Sequence, residues 1–386
     1  MKVLWLCSWY PNSADPFDGD FIERHARSLA TQQRVDIIHI LQNVDLLKWK
    51  SIKPEIRDEK NLHAEIFYLP FLGNKIKPVS QAVFNLSYYL HSRRIIKKYI
   101  AEKGRPDIVH VHVPVKAGYV ALWLKKKWNI PVVVTEHNSG YYKHIPGNYF
   151  DRNFYFKSVT KQSFENAELV TSVSKWLLKR LEEIFQIRKS KVIRNAVDTT
   201  LFFPVNTTNR VKQFIHVSMM PPLKNVEGIL KSLALLNHID TNWSMQFIGP
   251  ASEQYKALCT ELGLGNQVEW KGALSYGEVA YYVQRADALV HFSHYENLPC
   301  VVNEALCCGI PVISSDVGGI SELVNETNGL LVENNNSSAL ANALNNFLQK
   351  PDRYNKKEIS SSATEMFSYS EIGKQMMDMY REIVNS

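Results

Sequence analysis

The chain has 386 residues, of which 45% are hydrophobic and 22% charged, and a formal net charge of +7. This length allows two domains with a core each, and the lack of low-complexity tracts or of an apolar run of membrane-spanning length excludes disordered, fibrous and helical membrane classes. Five cysteines, Cys7, Cys259, Cys300, Cys307 and Cys308, form an odd set without framework or zinc spacing, which points to reduced thiols in a cytoplasm and to no metal centre.

The first predicted element is a buried strand, Lys2 to Ser8. The opening MKVLWLCSWYPNS stops at Pro11-Asn12 without a small-residue cleavage site, so it reads as a strand rather than a signal peptide. A loop with Pro11, Pro16 and Gly19 leads into an amphipathic helix, Phe21 to Ala30, and then a strand, Val35 to Leu41. This is the opening of a doubly wound α/β domain, in which the loop after the first strand lies at the carboxyl edge of the sheet, where ligands bind. Gly19 marks either a close backbone approach to a ligand or a simple helix-entry turn. Asp18 and Asp20 have the D-x-D spacing of a metal–diphosphate site, but they precede any nucleotide-binding half and read as a solvated turn.

A long helix, Ser80 to Lys103, a strand, Pro106 to Val113, and a helix, Lys116 to Trp128, come next. PVVVTEH, Pro131 to His137, is the continuous β-branched run of a central parallel strand. His137 ends that strand and is placed to donate to a substrate oxygen. Strand alternation makes His110 and His112 core residues. Ala167 to Glu183 gives a strand and a helix capped by Ser174, and the aperiodic VNTTNR after Pro204 marks the domain boundary.

The second α/β pattern has strands at Gln213 to Met220, Ser244 to Gly249, Val268 to Trp270, Ala288 to Phe292, Pro311 to Ser315 and Gly329 to Val332. Helices run over Val226 to Leu236, Ser252 to Leu262, Tyr276 to Gln284 and Ser337 to Leu348, with a final amphipathic helix from Ser370 to Val384. The expected domains are 1–204, 205–368 and the closing helix 369–386. Two such sheets imply a cleft between them.

The most informative stretch is HYENLPCVVNEALCCGIPVISSDV, His294 to Val317. It reads loop, helix, strand, with Glu296 in the loop and Glu304 inside the helix. Pro299 suits the first turn, and a helix start beside strand ends offers N–H groups and the positive end of a dipole to a diphosphate. Carboxylates there are poorly placed for phosphate but well placed for sugar hydroxyls. The competing reading makes Glu296 a helix cap and Glu304 a solvated surface residue. From Lys48 to Arg105 there are 13 Lys and Arg against 5 Asp and Glu, mixed with aromatics. That pattern fits either an anionic membrane surface or a solvated helix face over a core, and no nucleic-acid motif accompanies it.

Taken in order, SWYPN, DGDFIERHARSLA, PDIVHVH, PVVVTEH, RNAVDTTLFFP, LKN, FIGP and the Glu-x7-Glu element with its Gly-Gly pair resemble the retaining glycosyltransferases of family 4. The resemblance implies the GT-B architecture, two facing Rossmann-like doubly wound domains with an interdomain cleft, the final helix crossing back onto the first. It implies that Glu304 binds the ribose of a nucleotide sugar and that Glu296 contacts the transferred sugar. Lys224 neutralises the leaving diphosphate, and the N–H groups of Leu298, Cys300 and Val301 lie near it. His137 contacts the donor sugar, and Gly19 approaches the diphosphate. The expected activity is metal-independent transfer of a hexose or N-acetylhexosamine from a UDP- or GDP-sugar to a polysaccharide or lipid-linked acceptor. No cofactor is expected, and the location is cytoplasmic with peripheral contact to an anionic membrane through Lys48 to Arg105. One departure is Ser218-Met219-Met220, where the family commonly has Gly-Arg-Leu, so that either Arg194 or another cation replaces the missing guanidinium or donor binding is weaker than the family norm. A second is Asn195-Ala196 for the usual Asn-Gly. The first keeps open a weakened or non-catalytic transferase-like subunit; an epimerase of the same shape is the other alternative.

Overall fold

A computed structural model describes residues 1–44, 53–70, 77–207 and 211–385. The chain divides into two compact units, Met1–Ile193 with Tyr369–Ser386, and Arg194–Ser368.

The first unit runs β1 (Val3–Cys7), α1 (Asp20–Ala30), β2 (Val35–Val44), β3 (Glu55–Glu59), β4 (Leu62–Pro70), α2 (Lys77–Lys103), β5 (Ile108–His112), α3 (Pro114–Trp128), β6 (Val132–Glu136), α4 (Phe154–Glu165), β7 (Leu169–Ser172), α5 (Lys175–Ile184) and β8 (Ser190–Val192). Its described residues form an eight-stranded sheet in the order β3-β4-β2-β1-β5-β6-β7-β8, parallel except for the edge strand β3. The inner strands β1, β5 and β6 are buried throughout, which is why they read as unbroken apolar runs. Ser174 caps α5 by accepting from Leu177 N at 3.0 Å, as its place in the sequence predicts. The β3–β4 hairpin turns through Asn61 at φ 64.

The second unit runs β9 (Lys212–Val217), α6 (Val226–Asn237), β10 (Trp243–Ile248), α7 (Glu253–Glu261), β11 (Val268–Gly272), α8 (Tyr276–Arg285), β12 (Ala288–His291), α9 (Cys300–Cys307), β13 (Val312–Ser315), β14 (Gly329–Val332), α10 (Ser337–Gln349) and α11 (Lys356–Phe367). Its sheet is parallel, in the order β11-β10-β9-β12-β13-β14. The closing helix α12 (Tyr369–Val384) belongs to the first unit. Ser28 Oγ donates to Tyr369 O at 2.6 Å, and a Cβ at Gly373 would fall 2.2 Å from Ser28 O, so only glycine permits this approach of α12 to α1.

The division falls at Ile193/Arg194 rather than after Pro204. The segment from Arg194 is held by the second unit: Asn195 Nδ2 donates to Leu298 O at 2.8 Å, Val197 N to Phe367 O at 2.8 Å and Gln284 Nε2 to Leu201 O at 2.6 Å. In both sheets the strand order reverses beside the first strand, between β1 and β5 and between β9 and β12. Ligands bind outside the carboxyl ends of strands at such points.

Candidate active site

In the second unit, the reversal point gathers Lys224, Glu296 and His291. Lys224 closes a short 3-10 turn, Pro222–Lys224, and Asn225, left-handed at φ 49, caps α6 by accepting from Gly228 N at 3.1 Å. The LKN sequence thus fixes the lysine at a helix entry. Glu296 lies in the loop between β12 and α9. His294 N donates to Leu223 O at 2.8 Å, which ties that loop to the lysine turn. From the other side Gly318, at φ 60, packs so closely that a Cβ would stand 1.9 Å from Glu296 O, and Gly319 N donates to Asn297 O at 2.9 Å. The Gly-Gly pair is therefore a support for the glutamate loop.

Glu296 is 9% exposed. Its Oε1 accepts from Lys224 Nζ and lies 2.9 Å from His291 Nε2, which is also 3.2 Å from Ser293 Oγ. Burial pushes the Glu296 carboxyl up, but the charge of Lys224 and the contact with His291 outweigh it and hold the group well below the usual carboxylate range. Burial lowers the His291 pKa against the pull of Glu296. His216, behind it, is pushed down to about 3 by burial and bonds Val290 O and Ser218 Oγ at 2.9 and 2.8 Å. The site therefore presents a fixed lysine–carboxylate pair backed by neutral imidazoles.

Helix α9 begins at Cys300, with Pro299 at the cap position and no side-chain cap; Pro299 stands one residue before the helix rather than in its first turn. Leu298 and Val301 are buried, and Cys300 is half-buried. Glu304, on the same helix, is only 4% exposed, so it is not a solvated surface residue, and Tyr276 OH donates to its Oε1 at 3.1 Å. Asn195 braces the helix entry through Leu298 O, and Asn303 Nδ2 donates back to Asn195 O at 3.2 Å. Ala196 has no left-handed backbone, so alanine carries no strain there. Met219 is exposed, Met220 is left-handed and buried in the core, and Arg194 lies 3.9 Å from Glu322.

In the first unit, His137 follows β6 and is buried against His112, with His112 Nδ1 and His137 Nε2 at 3.1 Å and the rings stacked. Phe21 packs on His137 at 4.8 Å. Gly19, at φ 66, begins α1, and a Cβ there would stand 2.8 Å from the Trp9 backbone carbon, so the glycine is needed for this turn. His110 and His112 are buried as expected. Glu136 Oε1 accepts from the N–H groups of His137 and Asn138, both at 2.9 Å, and its Oε2 from Tyr141 OH at 2.5 Å. Burial nevertheless carries its pKa up to about 7. Beside it lies a cavity of about 220 Å³ lined by Trp9, Lys116, Glu136, Tyr149, Arg152 and Phe156 among others. Among the described residues, one group has the spacing to hold a metal ion, His25 with His112 and His137.

Sequence reasoning paired Lys224, Glu296 and Glu304 with α9, and the structure brings the first two into direct contact. It missed His291, His216, Tyr276 and Glu136. His291 was within reach, because it ends strand β12 as His137 follows the end of β6.

Two family models match, one described as glycosyl transferases group 1 over residues 198–364 and one as glycosyltransferase family 4 over residues 55–201. The chain belongs to these group 1, family 4 glycosyltransferases. It is 28% identical to an uncharacterized glycosyltransferase of Methanocaldococcus jannaschii over 77% of this chain and 81% of that protein. It is 26% identical to a Bacillus subtilis glycosyltransferase provisionally assigned to teichuronic acid biosynthesis, over 90% and 89%. The Anabaena HepE protein, crystallised with UDP, superposes with a TM-score of 0.72 at 18% identity, over 99% of this chain and 100% of that one, and the fold is GT-B.

Proposed function

We propose that this glycosyltransferase is a retaining enzyme that moves a hexose or N-acetylhexosamine from a UDP- or GDP-sugar to a polysaccharide or lipid-linked glycan acceptor. The observation that carries the reading is the pair of half-buried Lys224 and buried Glu296 held beside the start of α9. Departure of a nucleoside diphosphate develops negative charge, and a preorganised lysine with a helix start stabilises it without a divalent ion. In this reading Glu296 accepts from hydroxyls of the transferred sugar and Glu304 from the ribose, while Leu298, Cys300 and Val301 line the diphosphate. His137 contacts the donor sugar and Gly19 lets the backbone approach the diphosphate. The structure of a GT-B relative with UDP supports a nucleotide-sugar donor.

The cavity of the first unit supports an acceptor site there, since Trp9, Tyr149 and Phe156 offer faces for sugar rings and Lys116 and Arg152 offer charge. Peripheral membrane contact is part of the reading. Tyr88 and Tyr99 of the basic, aromatic stretch are in the core, while Lys48, Trp49 and Phe71 lie outside the described residues. What supports contact is α2, where Val83, Leu86, Leu90, Arg94 and Lys97 are exposed at the spacing of one helix face. Among the described residues, no helix is long and apolar enough to cross a membrane.

The test is release of UDP or GDP from a panel of sugar nucleotides by the wild-type chain and Glu296→Gln. The variant keeps the fold by circular dichroism and loses about 10²–10³-fold in turnover. Equal turnover rejects the site. Absence of donor binding at millimolar concentration favours a weakened subunit, and a changed donor without acceptor favours an epimerase.

A further inference from the structure

The first unit holds three imidazoles that sugar transfer leaves unexplained as a set. His25 comes from α1, His112 ends β5 and His137 follows β6, so three separate elements converge. One ring nitrogen from each lies within 4.8 Å of those of the other two, and all three residues are buried. His112 Nδ1 and His137 Nε2 are 3.1 Å apart. Two nitrogens bound at about 2.0–2.1 Å to one tetrahedral ion stand about 3.3 Å apart, so this pair already spans one edge of such a site.

The surroundings point the same way. His110, with its ring 4.2 Å from His112, is already engaged, since its nitrogens lie 2.5 Å from Tyr380 OH and 2.5 Å from Thr135 Oγ1. It supports His112 rather than adding a ligand. Trp5 and Phe21 wall the cluster with apolar faces at 4.0 Å from His112 and 4.8 Å from His137.

We propose that His25, His112 and His137 form a binding site for one borderline transition-metal ion, represented by Zn²⁺, ligated by imidazole nitrogen alone. A set of neutral nitrogens without a carboxylate suits Zn²⁺, Ni²⁺ or Cu²⁺ and disfavours Mg²⁺ and Ca²⁺, which need oxygen. Three ligands leave a fourth position for water or a substrate oxygen. The ion takes no part in the transfer proposed above. It occupies His137, so metal binding and any contact of that ring with a sugar exclude each other.

The test uses the full chain, stripped with EDTA and titrated with Co²⁺, then Zn²⁺, with Mg²⁺ as the oxygen-seeking control. The expected result is the visible spectrum of four-coordinate Co²⁺, saturating at one ion per chain, displaced by Zn²⁺ and not by Mg²⁺. His25→Gln and His112→Asn each weaken binding about tenfold or more, a loss that outer-shell changes alone can produce, whereas His238→Gln, on the exposed surface of the second unit, leaves it unchanged. X-ray absorption at the zinc edge of the wild-type chain, which depends on no variant folding, shows scattering from three imidazoles. The site is overturned by an edge without imidazole scattering, by the lack of a four-coordinate Co²⁺ spectrum, or by undiminished binding to a folded His25→Gln chain. None of these measurements reads transferase activity, so their failure leaves the proposed function standing.

Discussion

Both units place polar residues at the carboxyl ends of the strands where the order reverses, yet they fill that position with opposite chemistry. In the first unit it holds rings: His112 and His137 stack and share a hydrogen bond, Trp5 and His110 pack on His112, and the carboxyl of Glu136 is turned toward backbone N–H groups and Tyr141. In the second it holds a charge pair, Lys224 with Glu296, and the imidazoles of His291 and His216 stand behind it. The contrast appears in two buried glutamates, one pushed up to about 7 by burial and the other held low by a lysine. A shared topology thus provides two desolvated polar places, and the partner of the buried carboxylate decides which one carries fixed charge.

The sharpest way to break this contrast is to remove the cation of the second unit. Lys224→Met leaves Glu296 buried without its partner, and we expect a loss of about 3–5 kcal/mol in urea denaturation. Adding Glu296→Gln removes the stranded charge and restores most of the loss. If the double variant is no more stable than Lys224→Met, the pair is not energetically coupled.

The sequence displayed the charged site better than the ring site. Lys224 and Glu296 stand in local motifs, one before an asparagine cap and one in a strand–loop–helix unit, so their positions follow from short-range pattern. The partnership of Glu296 with His291 and the bracing of Leu298 by Asn195 depend on how loops distant in sequence meet, which no periodicity reports. Most strands and helices were legible for the same local reason. The β3–β4 hairpin was hidden because its first strand, EIRDE, is polar and half-exposed at a sheet edge, and α4 and α11 lack a strong apolar stripe. The domain boundary was placed at the polar VNTTNR stretch, whereas hydrogen bonds from Asn195, Val197 and Leu201 carry the preceding segment into the second unit.

The two glutamates also predict opposite pH dependence. The folded pKa of Glu136 is raised, so its contribution to stability is full below its unfolded value near 4.5 and is lost as pH rises through about 7. Glu136→Gln keeps an acceptor for the two N–H groups and a donor for Tyr141, and should remove this loss, worth on the order of 3 kcal/mol between pH 4.5 and 7.5. Glu296 has a depressed pKa, and its contribution is present above about 4.5 and fades only in stronger acid. Denaturation of wild type and Glu136→Gln across this range should give stabilities that converge at the acid end. A constant offset would show that Glu136 does not titrate there.

A left-handed glycine stands at the site in each unit, Gly19 in the first and Gly318 in the second, and the space around the two differs. At Gly318 a Cβ meets the carbonyl oxygen of Glu296 at 1.9 Å, whereas at Gly19 it meets Trp9 at 2.8 Å. Gly318→Ala should cost about 2–3 kcal/mol and displace Glu296, and Gly19→Ala about 1–2 kcal/mol. Thermal melts rank the two; a larger loss at Gly19 would mean that the glutamate loop yields more easily than its packing implies.

The smallest effect expected lies at Tyr276, and it separates positioning from charge within the second unit. Its hydroxyl donates to Glu304 at 3.1 Å from the start of α8, where Ser275 and Glu278 form a capping box that fixes the tyrosine's backbone. Tyr276→Phe deletes one hydrogen bond to a carboxylate that is 4% exposed, a loss of about 1 kcal/mol. Since Glu304 is proposed to hold the ribose and not the departing phosphate, that loss should appear as a KM for the donor raised roughly fivefold with kcat unchanged. A fall in kcat at constant KM would place Glu304 among the groups that act only in the transition state and would move the ribose contact elsewhere.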